Sequence, residues 1–185
     1  MTYSLFISEQ KLKEFTPIDD NVEVDELRPF IIQAQDLKIQ SLLGTDLYFH
    51  LMNAVNLDSL TNEETNLIKY YIQPLLANYT IYLAIPSMTY KIMNKAIMQL
   101  NSEESSTIGL DVVKYLRDSY KNNSDFYTNR LTDYLCDYNE YFPLYTNPSM
   151  NGMHPMGSKN YAGFYLPKTG YRRPNGYDKP TNQNY

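Results

Sequence analysis

The sequence has no tryptophan, one cysteine and two histidines in 185 residues. Cys136 by itself makes no intramolecular disulfide, which excludes a disulfide-stapled scaffold. His50 and His154 lie far apart and neither has a cysteine at ligand spacing, so no metal site is expected. Glycine is nearly absent before residue 143, where Gly44 and Gly109 are the two examples. That scarcity excludes a Gly-rich phosphate loop, and neither a Gly-x-Ser-x-Gly elbow nor a His-Glu-x-x-His pair occurs. Apolar residues never run on for 18 positions, and the opening Met1-Thr2-Tyr3-Ser4-Leu5-Phe6 lacks a basic stretch leading into an apolar one. The expectation is a chain with no membrane span, no signal peptide, no cofactor and no catalytic activity.

What is present is uneven. Residues 1–142 hold 11 Lys/Arg against 20 Asp/Glu, a net charge of −9, whereas 143–185 hold Lys159, Lys168, Arg172, Arg173 and Lys179 against Asp178, a net of +4. Five of the seven glycines and six of the ten prolines also follow Phe142, which interrupts any regular element within a few residues. A solvating linker seldom carries so much aromatic surface. The chain therefore divides into a helical body, 1–142, and an extended Tyr/Pro/Gly-rich arm, 143–185, expected to order on a partner. Tyr145, Tyr161, Phe164, Tyr165, Tyr171 and Tyr177 are the candidate partner-binding anchors, with Arg172 and Arg173 pairing acidic rims.

The body reads as an all-α bundle of about four to five helices. Asp25-Glu26-Leu27-Arg28-Pro29 opens a helix with Leu27, Ile31, Ala34, Leu37 and Leu42 on one face. It closes at Leu43-Gly44, and Thr45 is placed to cap a second helix carrying Leu47, Leu51 and Val55. Thr61-Asn62-Glu63-Glu64 fits a capping box ahead of a longer helix whose expected stripe is Leu67, Ile68, Tyr71, Leu75, Tyr79, Tyr82 and Leu83. Pro74 and Pro86 should each kink it. The spacing of Met88, Ile92, Met93, Ala96, Ile97 and Leu100 predicts that helix resumes beyond Pro86. From Thr107 to about Tyr141, Leu110, Val113, Leu116, Tyr120, Tyr127, Leu131, Leu135 and Tyr138 predict one long C-terminal helix of about 50 Å, continuous through Asn122-Asn123-Ser124. Ser4-Leu5-Phe6-Ile7 suits a short strand or extended segment.

Few residues suggest chemistry. Asp19, Asp20, Glu23, Asp25 and Glu26 crowd a helix N-terminus, where acids complement the backbone dipole as a solvated cap. His50 has no adjacent nucleophile and reads as a packing or edge residue. His154 sits among Met150, Met153 and Met156, flexible contact-makers for a docking arm. The body has the charge balance opposite to the one that phosphate binding needs, and only Arg172, Arg173 and the three lysines of the tail could contact phosphate. An acidic wall suits a duplex that slides past.

The stretch Val24-Asp25-Glu26-Leu27-Arg28-Pro29-Phe30-Ile31-Ile32-Gln33-Ala34-Gln35-Asp36-Leu37, leading into Ile39-Gln40-Ser41-Leu42-Leu43-Gly44-Thr45-Asp46-Leu47-Tyr48, resembles head-to-tail adaptor proteins of tailed bacteriophages, specifically the crAss-like phages. The likeness covers roughly residues 8–140 and rests on pattern and element order. It implies a virion protein made in the host cytoplasm and located in the neck. There, about twelve copies would form a ring under the portal protein, contact other neck or tail ring proteins, and extend the channel through which DNA passes without specific binding. The alternative is a non-virion interaction or assembly-helper protein that binds a host or phage target through the arm.

Overall fold

The computed structural model describes residues 3–17, 24–93, 96–99, 110–149 and 152–156. Its helices are α1 (Glu9–Phe15), α2 (Val24–Ala34), α3 (Gln40–Leu43), α4 (Thr45–Asn56), α5 (Asn62–Leu67), α6 (Gln73–Thr89), α7 (Leu110–Asp137) and α8 (Pro143–Thr146). Wide π-turns, Gln35–Ile39 and Ile68–Ile72, join α2 to α3 and α5 to α6, so these eight segments make six helical runs among the described residues. The all-α bundle with a long C-terminal helix is as the periodicity predicts.

Helix α6 lies at the centre, packed against α1, α2 and α7. Leu75, Leu76, Ala77, Thr80, Ile81, Ala84 and Ile85 are all buried, whereas Tyr79 and Leu83 of the expected stripe are half-buried. A stripe was too narrow an expectation, because a helix with neighbours on several sides buries several faces. Leu37 is likewise 55% exposed rather than inward. The π-turn supplies the reason: its extra residue per turn rotates the face, burying Gln35 and Ile39 and turning Leu37 out.

Neither proline interrupts its helix. Pro74 sits in the first turn of α6, directly after the π-turn, where widening relieves the clash of its ring with the preceding carbonyls. Pro86 is passed and α6 runs on to Thr89. Beyond it the expected helix is replaced by an antiparallel pair, β1 (Tyr90–Met93) and β2 (Ala96–Gln99), with Tyr90 opposite Gln99 and Met93 opposite Ala96. Short apolar runs satisfy both periods, and an asparagine at position 94, a residue type that favours turns, was the signal in the sequence for this pairing.

Helix α7 is continuous through Asn122-Asn123-Ser124. Ser124 is fully buried, Thr128 Oγ1 donates to the Ser124 carbonyl at 2.8 Å and Thr132 Oγ1 to the Thr128 carbonyl at 2.9 Å. Burial of Ser124 and Leu131 against the bundle offsets the weak helix propensity of the stretch, and the threonine hydroxyls bond back within the helix without interrupting it. Leu131 and Leu135 are buried as expected, but Leu110, Leu116 and Tyr138 are exposed.

The segment Ser4–Ile7 is neither helix nor strand, bends at Phe6 and Ile7, and is held by side-chain amides. The fully buried Gln35 accepts from the Phe6 N–H at 2.9 Å through Oε1 and donates to the Ser4 carbonyl at 2.8 Å through Nε2. Gln73 Nε2 donates to the Phe6 carbonyl at 2.9 Å. Phe6 and Ile7 are thereby fixed in the core. Alongside, the Tyr3 and Tyr48 hydroxyls donate to Asp36 Oδ1 at 2.6 and 2.8 Å. Burial above all raises the Tyr48 pKa, to about 12, so the hydroxyl stays a donor at neutral pH.

Gln35→Ala orphans the Phe6 amide and the Ser4 carbonyl. At about 1–3 kcal/mol for an unsatisfied buried group, urea titration should show a loss on the order of 2–3 kcal/mol. The exposed Gln33→Ala should stay within about 0.5 kcal/mol of the parent.

Candidate interaction surface

The corner between α3 and α4 is built as the Leu42-Leu43-Gly44 pattern requires. Leu42 and Leu43 are buried, and Gly44 has φ +77°, in the region that excludes most side chains. Gly44 itself, not Thr45, occupies the cap position. Thr45 instead binds the chain near residue 153: its N–H donates to the Met153 carbonyl at 2.8 Å, and its Oγ1 accepts from the Met153 N–H at 2.7 Å. The Met156 N–H donates to the Ser41 carbonyl at 3.0 Å. Ser149 binds the Asp46 carboxylate through its backbone N–H and, at 2.9 Å, through its hydroxyl.

Two close approaches complete this clamp. A Cβ on Gly44 would lie 2.7 Å from Pro155 Cδ, and one on Gly152 would lie 2.8 Å from Thr45 Cβ. The chain from Pro143 to Met156, expected as the start of the free arm, is packed on the body wherever it is described. Tyr145, expected as a partner anchor, is 3% exposed in the chain's own core. Burial, and then Cys136, raise its pKa to about 12. The reason is the short helix α8, whose proline at the first position starts a turn that lays Tyr145 against the bundle. Tyr161, Phe164, Tyr165, Tyr171, Arg172, Arg173 and Tyr177 lie outside the described residues, as do Met150, Asp19, Asp20 and Glu23. Glu26 is exposed on α2.

His50 takes an edge role that sequence reasoning left without a partner. Its Nε2 is 2.6 Å from Glu64 Oε1. Glu64 also closes the predicted capping box, accepting from the Thr61 N–H at 2.9 Å while its own N–H donates to Thr61 Oγ1 at 3.2 Å. Burial pushes the Glu64 pKa up, but the Thr61 N–H and His50 outweigh it and hold the carboxyl below its usual range. The pair fixes α4 to the start of α5 and lacks a nucleophile. Among the described residues there is no group of three or more His, Cys, Asp or Glu placed to hold a metal.

Two concave sites stand out among the described residues. One, of about 400 Å³, is apolar, with Phe6, Val55, Leu60 and Ile68 in its wall and Lys11 and Lys69 beside them. The other, of about 350 Å³, runs along the C-terminal half of α7. Its floor is a series of rings, Tyr71 stacked on Tyr134 at 4.0 Å and Tyr134 beside Tyr138 at 4.8 Å, with Asp133 and Asp137 among its lining residues. Arg130 lies over Tyr71 at 5.0 Å. The spacing of Tyr134 and Tyr138 along one helix was the signal for this face, but its partner Tyr71 comes from a distant turn.

A family profile matches residues 39–153, which run from the π-turn before the corner to the methionine that closes on Thr45. The chain belongs to the family of unknown function DUF6712. The unit that defines the family thus includes the clamp segment through Met153 together with the helices it holds. No curated protein and no solved structure matches the chain. Among the described residues no helix is long and apolar enough to cross a membrane.

Two variants test this geometry. Gly44→Ala places a methyl against Pro155 at a strained φ and should cost about 1–3 kcal/mol; hydrogen exchange at the Thr45 amide should accelerate with it. Glu64, with its depressed pKa, stabilises the fold fully above its unfolded value of about 4.3, and that contribution is lost as pH falls through the lower folded value. Glu64→Gln should therefore flatten the stability profile below about pH 4.3, as followed by acid titration of the far-UV circular dichroism.

Proposed function

We propose that this chain is a structural virion protein, a head-to-tail adaptor whose copies form a ring below the portal and extend the DNA channel toward the tail. The observation that carries the reading is the surface of α7. In the single chain Leu110, Val112, Tyr115 and Phe126 are 67%, 56%, 76% and 63% exposed on a helix about 42 Å long. Val112, Tyr115 and Phe126 fall on one face of this helix, and an apolar face left open along it is suited to lateral packing against further protein.

The charge division supports the same reading. A body of −9 keeps a passing duplex from adhering, and a +4 arm suits an acidic partner surface. The sequence resemblance to adaptor proteins supplies the biological setting. Catalysis has no part in this proposal; the work is assembly, driven by surface that the isolated chain leaves open. The arm that reaches a partner begins after Met156, since Tyr145 and Pro155 belong to the body.

Quantitative mass spectrometry of purified phage particles should find this chain at a ratio near one to the portal subunit, at about a dozen copies. Absence from mature particles would remove the adaptor reading and favour the non-virion assembly-helper alternative.

A further inference from the structure

The ring-floored groove on α7 pairs three features that select a particular occupant. Tyr71 and Tyr134 stack on each other, and the open rings beside that stack are Tyr138, 48% exposed, and Phe126, 63% exposed. Asp133 and Asp137, one helical turn apart, are exposed beside them, and Glu63 is close enough to raise the Tyr134 pKa after burial and the neighbouring tyrosines have done so. Arg130, the groove's own cation, is engaged over Tyr71. Such a surface suits an extended segment that alternates aromatic rings with cations: rings pack against Tyr138 and Phe126, and guanidinium or ammonium groups meet the carboxylates at the edge.

The chain carries a segment of that composition. Residues 157–185 contain Tyr161, Phe164, Tyr165, Tyr171 and Tyr177 interleaved with Lys159, Lys168, Arg172, Arg173 and Lys179, and one acid, Asp178. We propose that the groove on α7 receives residues 157–185 of a second copy of this chain. Among the described residues Phe126 and Tyr138 are open to solvent, and copies packed side by side would present this groove to the tail of a neighbour. Aromatic contacts supply the affinity of such a joint and the opposed charges its register.

The inference rests on the reading that copies of the chain pack side by side. It is tested on the full-length protein with a benzophenone amino acid in place of Tyr165. Unlabelled and isotope-labelled chains are mixed, irradiated and mapped by mass spectrometry. Adducts that join the two isotopes at Tyr71, Tyr134 or Tyr138 are expected. Asp133→Asn with Asp137→Asn, two exposed substitutions, should lower their yield about tenfold while helicity is kept, the cost of losing the charge pairing. Adducts within one chain, adducts at another surface, or none overturn the proposal. Inter-chain adducts elsewhere would leave lateral packing standing while removing the groove, and absence of the protein from particles would remove the adaptor reading while the adduct map still decides the groove.

Discussion

Burial of α6 on several faces is the constraint on which the rest of the structure depends. Its apolar side chains have to be covered, and α1, α2 and α7 are arranged to do so. At about 25 cal/mol for each Å² of apolar surface removed from water, every side chain so enclosed stabilises the bundle. The long helix α7 gains its anchorage in the same way: Leu131 and Leu135 enter the core, Lys38 reaches Asp125 at 3.6 Å, and Arg117 donates to the Tyr82 hydroxyl at 3.1 Å. The apolar residues of its first turns have no such cover among the described residues.

Backbone ends and bends are secured by specific polar contacts rather than by further burial. Gln35 satisfies backbone groups of the irregular segment Ser4–Phe6, which joins no sheet among the described residues. Thr45 holds a second irregular segment, around Met153, with one backbone bond and one through its hydroxyl. The segments around Ser4 and Met153 are therefore tied to the α2–α3–α4 run at neighbouring points, Gln35 and Asp36 for one, Ser41 to Asp46 for the other. The family match spans the second of these anchor points.

About half of the candidate site was legible in the sequence. The capping box at Thr61, the glycine corner at Gly44 and the continuity of α7 follow from local patterns that each residue's own backbone preference enforces. The aromatic groove does not, because Tyr71 and Tyr134 are brought together only by packing of distant segments. The partner of His50 was equally invisible: Glu64 reads as a cap, and its second role needs α4 and α5 side by side. Tyr145 misled for a related reason, since composition places it with the Pro- and Gly-rich tail while a one-turn helix puts it in the core.

By itself the sequence determined the helical class, the placement of most helix starts, and the division of charge between body and tail, because apolar periodicity, capping residues and net charge are local or additive properties. Tertiary structure alone decided which faces are buried, through π-turns that rotate Leu37 out and Ile39 in. It also decided that the chain forms a pair of strands after Thr89, and that the tail's first residues belong to the body. Those outcomes depend on which segments meet, and a periodicity read along one segment does not contain that information.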